Sequence, residues 1–130
     1  NPVISGVTFD GTKVDLKKGI TVDRCTQKNE KDCQEHKFDT QVPASSQEIN
    51  TGEMQPSGQP YKEQVWAAYY STDGKFEGDA RLLYDATTGK VDDTSIKFYA
   101  PKVAGAHHAW IVVKDNRGGS AWLDFPITVR

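Results

Sequence analysis

Long apolar stretches are missing from this chain: no run approaches the roughly 18 to 20 residues that a membrane-spanning helix requires. Cysteine is scarce, with two residues in 130, and methionine scarcer, with one. An excess of either charge is missing too. Sixteen basic residues stand against 18 acidic ones for a net charge of −2, and no basic face is evident. Nucleic acid is therefore not an expected partner. No segment of useful length carries a 3.6-residue apolar period, which removes the helical fold classes. The motifs that announce catalysis are absent as well: there is no Gly-x-Ser-x-Gly elbow, His-Glu-x-x-His, phosphate loop or glycine-rich dinucleotide fingerprint. The carboxylates are plentiful, but nothing selects two of them as a glycosidase-type pair. The chain is expected not to be an enzyme.

The scarce residues have bounded uses. Cys25 and Cys33 bracket Thr26-Gln27-Lys28-Asn29-Glu30-Lys31-Asp32, all polar, so they sit in an expected exposed loop. Two free thiols there would be a liability. A disulfide is the expected state, and it implies an oxidising compartment. The spacing does not suit a zinc knuckle, which His36 alone cannot complete, or a catalytic dithiol. His107 and His108 are adjacent, and neighbours on a strand point to opposite faces, so they do not chelate one ion together. Calcium is the one metal the composition invites, through Asp73, Asp79, Asp92, Asp93 and Asp115 in expected turns. No Asp-x-Asp-x-Asp loop supports it, and turns favour Asp for backbone reasons alone. No cofactor and no metal ligand is assigned.

What the chain does contain is strand patterning, clearest from Ser95 to Val129. Ala121, Leu123, Phe125, Ile127 and Val129 share one phase. Trp122, Asp124, Thr128 and Arg130 share the other, as a strand with one buried side requires. Ala109 to Val113 is apolar on both phases and suits a central strand. Between them Asp115-Asn116-Arg117-Gly118-Gly119 tolerates positive φ, so a hairpin is expected. Pro126 cannot donate to a ladder, which places it at a sheet edge or a bulge. Ile96, Phe98 and Ala100 alternate inward, and Pro101 ends that strand.

These residues carry a resemblance. A strand ending in Tyr99-Ala100-Pro101, a Gly-containing turn, an apolar strand and Lys114-Asp115-Asn116-Arg117-Gly118-Gly119 resemble the C-terminal half of bacterial immunoglobulin-like domains, close to the PKD-like modules of secreted and envelope proteins. Gln64 to Tyr70, followed by Ser71-Thr72-Asp73-Gly74-Lys75-Phe76, is similar to the preceding central strand and turn, with Trp66 as candidate core tryptophan. The likeness covers Gln64 to Val129, about half the chain. The Trp-Asp-Phe-Gly-Asp-Gly signature of PKD repeats is absent, and no cysteine lies in the penultimate strand to form an intersheet disulfide. The resemblance implies a fold and a structural or adhesive role; it carries over no catalytic residue.

The strands expected along the chain are Asn1–Phe9, Gly19–Cys25 with Ile20 and Val22 inward, Lys62–Tyr70, Ala80–Tyr84, Ser95–Ala100, His107–Lys114 and Ser120–Val129. Residues 26–61 interrupt this series. A connection of about 35 residues is too long to be passive, so it is a functional loop or part of it forms an extra edge strand, His36 to Val42. The expected fold is all-β: an immunoglobulin-like antiparallel β-sandwich of seven or eight strands. It carries a disulfide-containing insertion between strands two and three. At 130 residues the chain is expected to form a single domain, 1–130, with a core that needs neither metal nor disulfide.

Aromatic residues supply the functional hint. Trp122 faces away from the core phase, Trp110 opposes Ile111, and Tyr69 and Tyr70 occupy both faces of their strand. An outward Trp and Tyr cluster is a platform for protein contact or sugar stacking. The other arrangement, preferred because it accounts for the insertion, is that residues 26–61 fold across that sheet and cover the rings. The expected function is a non-catalytic, extracytoplasmic structural or adhesion module, secreted or anchored to a bacterial cell envelope, with a protein or neighbouring domain as partner. The alternatives are a carbohydrate-binding module using Trp122, Tyr69, Tyr70 and Trp110, and an accessory domain of a secreted hydrolase. With Asn at position 1, the chain is expected to be a mature or trimmed product, any signal or lipid anchor preceding it.

Overall fold

The computed structural model describes residues 1–130; the side chains of Asn50, Thr51 and Glu53, inside the 26–61 segment, lie outside the described residues. In chain order the first strands are β1 (Gly6–Phe9), β2 (Thr12–Lys13), β3 (Ile20–Val22), β4 (His36–Gln41), β5 (Ile49–Met54) and β6 (Pro60–Lys62). They are followed by β7 (Val65–Ser71), β8 (Lys75–Phe76), β9 (Ala80–Asp85) and β10 (Gly89–Lys90). The last are β11 (Ile96–Tyr99), β12 (Gly105–Asp115) and β13 (Ser120–Val129). Helix is confined to two 3₁₀ turns, Glu30–Asp32 and Ala44–Ser46.

The strands form a larger sheet, β10-β9-β7-β12-β13-β3, a smaller sheet, β2-β1-β4-β11-β8, and a β5-β6 ribbon. The alternation read from the sequence decides what lies between the two sheets. Val65, Ala67, Tyr69, Ile111, Val113, Phe125, Ile127 and Val129 come inward from the larger sheet, to meet Val7, Phe38, Ile96 and Phe98. Phe38 sits at the centre, its ring 5.7 Å from Phe125 of the facing sheet and 5.4 Å from Phe98 beside it. Each such fully buried ring contributes about 1.5–3 kcal/mol. Two hydrogen bonds link the strands to this core: Tyr69 and Thr40 hydroxyls lie 2.7 Å apart, and the Tyr84 hydroxyl donates to the Val42 carbonyl at 2.7 Å.

Several expectations are corrected. β4 is not an edge strand: it pairs with β1 on one side and β11 on the other. Its inward positions are His36, Phe38 and Thr40, and only Phe38 is apolar, so the sequence there resembles a loop. The insertion therefore gives one strand, β4, to the smaller sheet, while β5 lies in the separate ribbon with β6. The sheets are not purely antiparallel, because β3 runs parallel to the end of β13. The strands number thirteen among the described residues, the excess over the sequence reading lying mostly in two- and three-residue pieces. Pro126 stands where β13 is still open on the β3 side; pairing with β3 begins one residue later, at Ile127. Trp66 is no core tryptophan, because its phase is opposite to that of Val65 and Ala67.

The Cys25–Cys33 disulfide is present, with Cα atoms 5.5 Å apart. Its surroundings differ from expectation, since Cys25 is only 4% exposed and its amide bonds the Pro101 carbonyl. The bridge thereby ties the loop to the core's margin.

Candidate functional site: an aromatic sheet face

The outer face of the larger sheet is built by the same alternation that fills the core. On β7 it presents Trp66, Ala68 and Tyr70; on β12, His108, Trp110, Val112 and Lys114; on β13, Trp122, Asp124 and Pro126. Ladder register then fixes the neighbours. Trp110 lies opposite Tyr70 on one side and Asp124 on the other, while Val112 lies opposite Ala68 and Trp122. Trp66 pairs with Lys114 and with Leu82 of β9. All three tryptophans of the chain thus share one face. Trp122 is 66% exposed and Tyr70 52%, so no part of the 26–61 segment covers them. Trp66 and Trp110 are half-buried among their neighbours.

A polar pair is set into this face. His108 Nε2 and Asp124 Oδ2 are 2.6 Å apart, and the His108 ring leans on Trp110 at a centroid distance of 5.0 Å. The His108 amide is itself held by the Thr72 hydroxyl. Asp124 Oδ1 has no protein partner among the described residues. Asp124 is flanked by Trp110 across the ladder and by Trp122 two residues back along β13. Among the described residues no strand pairs with this part of β13 on its other side, although Gly19 lies close against Pro126. No ring contact joins one tryptophan to another among the described residues, so their broad faces are not spent on each other.

The remaining candidates are dispersed. Tyr69 points into the core at 4% exposure, where burial pushes its hydroxyl up to about 12. It takes no part in the outer face. His107 faces the other way from His108, its Nε2 3.3 Å from the Val103 carbonyl. The turn aspartates serve their own loops: Asp73 accepts from the Gly74 amide, and Asp115 from the Arg117 and Gly119 amides. Asp93 accepts from the Ser95 hydroxyl and amide, which hold its carboxyl below the usual range. The Asp79 carbonyl accepts from the Tyr69 amide, and Asp92 is an exposed turn residue. Among the described residues no three His, Cys, Asp or Glu side chains gather in a way that suits a metal ion, calcium included. Nor is any helix there long and apolar enough to cross a membrane.

Sequence reading assigned Trp66 to the core and missed Val112 and the His108–Asp124 pair. The signal was available in part. Once the turn at 116–118 is accepted, counting back along both strands sets Asp124 opposite Trp110, and Trp122 opposite Val112.

No protein-family model and no curated protein matches the chain. Among solved structures it is similar to a nucleoside hydrolase-related hypothetical protein from Saccharophagus degradans that is associated with carbohydrate metabolism. That likeness has 12% identity and a TM-score of 0.46, and it covers 99% of this chain and 25% of that one. The chain thus spans a quarter of that protein's length. A likeness this slight assigns neither a family nor an activity.

Proposed function

We propose that the protein is a non-catalytic, extracytoplasmic contact module, an immunoglobulin-like sandwich whose working surface is the outer face of the larger sheet. The observation that carries this reading is the gathering of Trp66, Trp110, Trp122 and Tyr70 on one exposed face. Aromatic rings left in water cost free energy, and concentrated patches of them mark interaction sites. The disulfide supports an oxidising location, in a secreted protein or at a cell envelope.

Two partner classes suit such a face. Trp and Tyr lead the hot spots of protein interfaces, which fits a protein surface or a neighbouring domain. The same rings stack on sugars, and the carboxylate of Asp124 is the observation that favours this second reading. Hydroxyl-radical footprinting in the presence of the native cell-envelope fraction tests the shared claim. Trp122 and Tyr70 should be protected relative to the free protein, while exposed residues of the smaller sheet stay equally labelled. Unchanged oxidation of both rings sinks the contact-module reading.

A further inference from the structure

We infer that Trp110, Asp124 and Trp122 form a subsite for a neutral saccharide, with an indole taking the C–H face of a sugar ring and Asp124 Oδ1 accepting from its hydroxyls. This rests on the reading of the aromatic face as the working surface and names its occupant.

The argument is one of chemical complementarity. A carboxylate lies beside two indoles and the His108 ring, in a face otherwise made of Ala68, Val112, Tyr70, Trp66 and Pro126, with Lys114 at its far end opposite Trp66. A protein partner closing over this corner would desolvate that charge, which is costly without a matched cation, and aspartate is depleted in interface cores for that reason. A saccharide avoids this cost, because it brings hydroxyl donors and an apolar C–H surface on the same ring. The acceptor is also pre-set. His108 Nε2 lies 2.6 Å from Oδ2, which restrains the carboxylate and leaves Oδ1 without a protein partner among the described residues. Hydrogen bonds to a charged acceptor are the stronger kind.

The negative charge further selects against acidic sugars, which would place like charges together. β7, β12 and β13 are adjacent, so their outer axes are about 10 Å apart at a strand spacing of about 4.8 Å, which gives room for a sugar ring. The corner is reachable from above the sheet, since Trp122 is exposed and the Asp124 side chain is half-exposed.

Affinity electrophoresis tests this, with gels containing xyloglucan, mixed-linkage β-glucan or galactomannan, polygalacturonate as the acidic probe, and pull-downs on cellulose and chitin. At least one neutral polymer should retain the protein, polygalacturonate should not, and Trp122→Ala should abolish retention. Asp124→Ala should weaken it about tenfold, as expected for loss of a charged hydrogen bond. Asp124→Asn, which keeps the shape, serves where Asp124→Ala melts early. Retention that ignores both Asp124 variants, or that is equal on polygalacturonate, overturns the subsite. No retention on any polymer, together with footprinting protection of Trp122 and Tyr70 by a protein component, overturns the saccharide while leaving the contact module standing. No retention and no protection remove both.

Discussion

Glu63 is the side chain whose environment is least settled. Its carboxylate is 2% exposed; Oε1 lies 3.3 Å from Arg117 Nε, and Oε2 has no partner among the described residues. Burial raises its pKa first, with the charges of Asp115 and Glu48 adding to it and Arg117 opposing. A glutamate whose folded pKa is raised contributes stability that is fully present below its unfolded value. That contribution is lost as pH rises through the folded value. As pH rises above about 4.5, the ordinary value for a glutamate, this residue should therefore tilt the stability curve downward. Glu63→Gln should flatten that slope in urea titrations at a series of pH values, and should gain on the wild type as pH rises. Wild-type and variant curves that stay parallel would refute the account. Arg117 is itself exposed, so it offsets the burial of Glu63 only in part.

At the scale of elements, the parallel pairing of β3 with β13 depends on one glycine. Gly19 has φ +70°, and a Cβ there would lie 1.7 Å from the Pro126 carbonyl oxygen. Gly19→Ala meets both left-handed strain and backbone collision, so it should lower stability by more than about 1 kcal/mol, read from the denaturant midpoint. A neutral result would mean that β3 does not hold that register. The disulfide acts on the neighbouring loop. Closing eight residues of sequence separation stabilises by roughly 2.5 kcal/mol in the chain-entropy model. Cys25→Ser/Cys33→Ser should lose a comparable amount in the same assay, and a loss near zero would rule out that role.

Long patterned strands were legible because period two is robust: β7, β9, β11, β12 and β13 lie close to their expected limits. A strand over His36 to Val42 is one of the readings the sequence allows, but the inner place of β4 in the sheet is obscured. His36 and Thr40 occupy core phases, their polar atoms satisfied by Asp10 and Tyr69 in a way that only the fold reveals. The Asp10-Gly11 turn between β1 and β2 carried a standard hairpin signal that a loose reading of Asn1–Phe9 passed over. Of the aromatic face, Trp122 and Tyr70 were visible by phase. The companionship of Asp124 and His108 needed the ladder.

Seen whole, the molecule divides its aromatic residues by role. Phenylalanines pack the interior, with Phe38, Phe98 and Phe125 fully buried, and the tryptophans line the outside of one sheet. The stability of the fold should then be indifferent to the outer rings. Trp122→Ala/Tyr70→Ala should leave the thermal midpoint nearly unchanged, within the roughly 0.5 kcal/mol typical of surface substitutions. Collapse of that variant would show that the rings belong to the core after all.

Such a sheet is apolar towards the core and carries indoles on its outer side, so one flank of the free chain is both wet and greasy. At raised concentration the free form should associate with itself through that flank, which sedimentation velocity would show as a rising average mass.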